Sequence, residues 1–75
     1  MDLTRHARTR MQQRGINTAA LSALLDYGRV ARAGRGRDIV YFDKRTRARF
    51  GNSYAILASD GTVITVGHRT RRINR

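Results

Sequence analysis

In the first third of the chain, apolar residues recur at helical spacing. Leu3, Ala7 and Met11 share a face at 3.6 residues per turn, with Arg14 at its margin. Thr4 is placed to cap a helix running to about Arg14, and Gly15 suits the left-handed position that stops it. His6, Arg10 and Gln13 stack on one flank of this helix, and Arg5, Arg8 and Gln12 on the other. A helix this short needs a sheet to hold it. Asn17 can cap a second helix to about Tyr27, with Ile16 and Leu21 forming a hydrophobic staple. Ala20, Leu21, Leu24, Leu25 and Tyr27 give that helix a wide apolar stripe, and Gly28 is expected to end it as Gly15 ends the first.

From there the period changes. Arg29 to Ala33 has weak strand character, Gly34-Arg35-Gly36 reads as a turn, and Arg37 to Asp43 reads as a strand. Asp43 can cap a short helical turn over Lys44 to Arg49, with Phe50 returning to the core and Gly51 ending it. Ser53–Ser59 and Thr62–His68 are the clearest strands, joined by Asp60-Gly61, a type I′ hairpin signal. A two-residue loop pairs Ser59 with Thr62, Leu57 with Ile64, Ala55 with Val66 and Ser53 with His68. Leu57, Ile64 and Val66 then form the helix-covered face. The order predicts an α+β domain spanning residues 1–75. Its two N-terminal helices pack on one face of an antiparallel sheet of three to four strands.

Composition adds a partner class. Sixteen Lys and Arg stand against five Asp and Glu, a net charge of +11 on 75 residues. Such a body repels itself and suits a polyanion. The cations are arginines except Lys44, and arginine pairs bidentately with phosphate and stacks on bases. Lys44, Arg45, Arg47 and Arg49 form the densest run, the expected phosphate-contacting loop. Arg5, Arg8, Arg69, Arg71 and Arg72 are further candidate nucleic-acid contacts. There is no cysteine, so disulfides and thiol chemistry are excluded. No metal or cofactor is expected, and no apolar run is long enough for a membrane span, which points to the cytoplasm.

The two histidines suggest chemistry. RNA cleavage needs a base for the 2′-hydroxyl, an acid for the leaving oxygen, and cations around the phosphate. Histidine serves either proton role near neutral pH. If the first helix packs beside the end of the last strand, His6 and His68 border one cleft. Arg10, Arg14 and Arg69 would then supply the electrostatic part. The alternative is a binding module without catalysis, acting on nucleic acid or inhibiting an acidic protein surface.

The series His6-Ala7-x-x-Arg10-Met11-x-x-Arg14-Gly15-Ile16, Tyr27-Gly28, Tyr41-Phe42-Asp43 and Asp60-Gly61-Thr62-Val63-Ile64-Thr65-Val66 with His68-Arg69 resembles a bacterial family of small domains of unknown function. Its layout is similar to RelE/ParE and BrnT toxin-like folds. The resemblance implies a RelE-like two-layer fold. It also implies a type II toxin, held by an acidic antitoxin and acting on messenger RNA at the ribosome. By position the signature carries over to His6, Arg10 and Arg14.

Overall fold

The computed structural model describes residues 2–69. The elements are helices α1 (Arg5–Arg14) and α2 (Thr18–Tyr27), strands β1 (Arg29–Gly34) and β2 (Arg37–Tyr41), helix α3 (Lys44–Phe50), and strands β3 (Ser53–Leu57) and β4 (Val63–His68). The strands form one antiparallel sheet in sequence order, β1-β2-β3-β4. The fold class is α+β, with a third helix inserted between the two halves of the sheet. None of the described helices is long and apolar enough to cross a membrane.

Local chemistry sets the helix ends. Thr4 Oγ1 accepts from the Ala7 amide at 3.0 Å, and Asn17 Oδ1 from the Ala20 amide at 2.8 Å. Gly15 takes the left-handed conformation at φ 66°, ψ 31°. Gly28 does not, correcting the expectation. It is extended at φ −74°, ψ 161°. It is glycine for lack of room: an added Cβ would collide with the Leu24 carbonyl and lie 2.7 Å from Val40 Cγ1.

The turns exchange roles relative to the expectation. Arg35 and Gly36, with φ 57° and 72°, carry the paired positive φ values that a type I′ loop needs. In the other hairpin Gly61 alone has positive φ, so Asp60 cannot sit in a type I′ turn. There the Gly61 amide donates to the Ala58 carbonyl and the Ala58 amide to the Thr62 carbonyl, giving a longer loop. The register holds at Ser53↔His68 and Ala55↔Val66, then shifts between Ile56 and Leu57 so that Leu57 faces Val63. This bulge puts Val63 and Val66 on the same face, both buried, and leaves Ile64 half-buried.

The core lies between that face and the helices: Ala7, Met11, Ile16, Leu21 and Leu24 against Val40, Phe42, Ala55, Val63 and Val66. Tyr27 and Phe50 are not in it. Tyr27 is 62% exposed and Phe50 37%, since both sit where α2 and α3 pass the rim of the sheet.

Helix α1 runs alongside β4 in the same direction. At its start, Thr4 N–H donates to the Val63 carbonyl (3.0 Å) and Val63 N–H to the Asp2 carbonyl (2.8 Å). Thr4 Oγ1–H also donates to the Ile64 carbonyl (2.8 Å). At its far end, His68 Nε2 meets the Arg14 carbonyl at 2.9 Å.

Candidate nucleic-acid interface

This alignment decides where the histidines lie. His6 is eight residues before Arg14, about 12 Å along the axis at 1.5 Å per residue. His68 is at the Arg14 end. The structure therefore does not bring the two imidazoles to one cleft. The reason is directional: a helix running parallel to β4 shows its first turn to the start of the strand and its last turn to the end.

Each ring has another partner. Arg10 Nε contacts His6 Nε2 at 3.4 Å and Arg10 Nη1 contacts the Gln13 amide oxygen at 3.4 Å, both long and solvent-exposed. The flank expected from spacing is thus formed. A carbonyl only accepts, so His68 donates Nε2–H to Arg14 and supplies one of the carbonyls left over at the helix end with a donor.

The arginines sort by end of the sheet. One end collects the finish of β2 and β4 and the start of β1 and β3. Helix α3 sits there with Lys44, Arg45, Arg47 and Arg49, all exposed. Arg14 comes to the same end through its contact with His68, and Arg29 opens β1 beside Tyr41. The opposite end carries the two hairpin tips and the start of α1. There Arg5, Arg8, Arg32, Arg35 and Arg37 share the end with Asp2, Asp38 and Asp60, whereas the six cations of the α3 end share theirs with Asp26 and Asp43. Among the described residues a single ion pair forms, Arg29–Asp43 at 3.8 Å. The α3 end is the positive pole.

Asp43 builds that pole. As N-cap of α3 it accepts from the Thr46 amide at 2.9 Å and the Thr46 hydroxyl at 2.8 Å. These two hydrogen bonds, with the nearby Arg29 guanidinium, hold its carboxyl below the ordinary range. The sequence Asp43-Lys44-Arg45-Thr46 thus folds as a capped helix because the aspartate closes its first turn. The expected helical turn capped by Asp43 is present as α3, and it presents its cations to solvent.

Arg69, expected as a phosphate contact, is also engaged within the fold. Its Nη1–H donates to the Phe42 carbonyl at 3.1 Å, and its guanidinium lies 5.0 Å from the Tyr41 ring centroid. Its backbone is fastened to Asn52 by two hydrogen bonds of 2.7 Å. Arg69 locks the end of β4 onto β2. Arg71 and Arg72 lie outside the described residues.

Sequence reading missed the aromatic component. Phe50 stacks on Phe42 with centroids 5.3 Å apart and planes at 20°, and on Tyr27 at 5.4 Å and 7°. The Arg49 guanidinium lies 5.3 Å from the Phe50 centroid. Tyr27, Arg45, Thr46, Arg49 and Phe50 line a cleft of about 270 Å³. A larger open hollow of about 480 Å³ beside Val30, Arg32 and Asp38 follows the β1–β2 hairpin at the opposite end. The smaller one is the one that coincides with the positive pole.

A family model described as a domain of unknown function, DUF4258, matches residues 3–68. The chain belongs to that family. No curated protein and no solved structure matches it. The DUF4258 match starts at Leu3, which bridges to Val63, and ends at His68, which closes on Arg14. The DUF4258 unit is therefore the whole α1–β4 clasp with α3 and its basic end inside it.

Proposed function

We propose that this chain binds RNA through the α3 end of its sheet and acts as a toxin-like effector by that binding. One observation carries the reading: in a domain of net charge +11 the α3 end holds the larger excess of exposed cations, and the described residues offer a single ion pair there. Sugar–phosphate backbone neutralises such a surface and releases counterions on doing so. Cleavage by a His6/His68 acid–base couple is not part of the proposal, because each imidazole occupies its own end of α1. The toxin setting rests on the resemblance in layout. It adds an acidic antitoxin whose carboxylates would cover the same cations.

Fluorescence anisotropy with a labelled single-stranded oligoribonucleotide, in the presence of EDTA, tests the binding. Saturable binding is expected that weakens as salt rises, with the RNA recovered intact on a denaturing gel. His6→Ala and His68→Ala variants should bind as the parent does. No binding at low salt, or binding indifferent to salt, would overturn the reading. Metal-independent cutting abolished by either histidine variant would restore the catalytic one. Expression in bacteria should slow growth. Relief by co-expressing a small acidic protein encoded beside it would support the toxin setting, and unaltered growth would remove it.

A further inference from the structure

The aromatic stack at the positive pole has no explanation in packing alone. Phe42 is 2% exposed and belongs to the core, whereas Phe50 and Tyr27 carry the stack outward until Tyr27 is 62% exposed. A large ring left this open forgoes much of the burial that stabilises aromatic residues elsewhere. It stands beside Arg45 and Arg49, on the cleft those residues share. Arg49 is already set over the Phe50 ring, so the cleft combines π surface with guanidinium planes.

We propose that this cleft is a nucleobase subsite, in which an unpaired base stacks on the Tyr27–Phe50 pair while Arg45 and Arg49 hold the phosphates on either side of it. The proposal rests on the RNA-binding reading and narrows it to single-stranded substrate. A base inside a duplex keeps both faces stacked and cannot offer one to Tyr27. The parallel rings supply a flat surface that is indifferent to base identity, as stacking platforms for single strands are. The cleft volume of about 270 Å³ is below the range of roughly 300–1,000 Å³ usual for drug-sized ligands. It suits a single base. The charges set beside the rings fit a phosphate-bearing occupant better than an apolar protein segment.

The test compares two oligonucleotides of equal length and phosphate count, one with bases and one abasic. Tyr27→Ala should weaken binding of the base-bearing strand on the order of tenfold or more, the range for loss of one stacked base. It should leave the abasic strand and the salt slope unchanged. Tyr27→Phe, which keeps the ring, should restore the affinity. In a Tyr27→Trp variant the indole fluorescence should be quenched by the base-bearing strand and not by the abasic one. The Trp readout reports the contact directly, whatever Tyr27→Ala does to folding. Equal loss on both strands, no loss on either, or loss of self-association in place of RNA affinity would overturn the subsite. If the unsubstituted chain binds both strands and Tyr27→Ala changes nothing, RNA binding stands and only the subsite falls. If it binds neither strand, both fall.

Discussion

His68 donates its Nε2–H to the Arg14 carbonyl at 2.9 Å, joining the last residue of β4 to the last residue of α1. Two elements far apart in sequence are thereby closed at the end opposite the Thr4–Ile64 bond. The expected consequence is structural. His68→Ala should lower stability by about 0.5–1.5 kcal/mol, the net worth of one hydrogen bond, in a urea titration followed by circular dichroism. RNA affinity should not change. A variant as stable as the parent but defective in RNA chemistry would assign the ring to catalysis after all.

Gly28→Ala probes the other tight approach. Residue 28 lies where α2 hands over to β1, and a methyl group there meets the Leu24 carbonyl and Val40. Its φ of −74° is one that alanine adopts freely, so the cost is crowding and not backbone strain. Destabilisation of about 1–3 kcal/mol is expected, the range for overpacking. Gly15→Ala makes the comparison: space is open there and the cost comes from φ 66°.

The Asp43 carboxyl, held low by Thr46 and Arg29, links stability to acid. A group with a depressed folded pKa stabilises above its unfolded value, near 3.8, and loses that contribution as pH falls through the folded value. Asp60, held low by the Thr62 amide and hydroxyl, contributes with the same sign. The stability difference between the parent and Asp43→Asn isolates the cap. It should be constant from about pH 5 to 7 and shrink below about pH 4. A difference that persists at the lowest pH would mean that the carboxylate charge is not what the cap uses.

How far the sequence could be read depended on the range over which each signal acts. The caps at Thr4, Asn17 and Asp43 are local, since each reaches an amide three residues on, and each formed as expected. The register expected from Asp60-Gly61 holds at Ser53 and Ala55 but not at Leu57, because a dipeptide cannot reveal a bulge, and the bulge exchanged Ile64 for Val63 in the core. Proximity of His6 and His68 depended on the direction of α1 along β4. Spacing within the helix says nothing about that direction. The Tyr27–Phe50–Phe42 stack joins three elements, and its rings share no periodicity. Tyr27 at the close of an apolar stripe, one residue before a glycine, was its one local sign, and it reads equally well as core. The run from Lys44 to Arg49 showed both the position of the charge and, through Asp43, the capped helical turn that carries it, but not that Phe50 would stay at the surface.

The account stands on phosphate contact by α3, and the salt dependence of affinity measures that most directly. For a single-stranded oligoribonucleotide, the logarithm of the binding constant should fall linearly with the logarithm of salt, by about 0.7 for each phosphate neutralised. Replacing Arg45, Arg47 and Arg49 together with glutamine should make the slope shallower by about 2 units while the fold, followed by circular dichroism, is retained. A slope identical to that of the unsubstituted chain would contradict the claim.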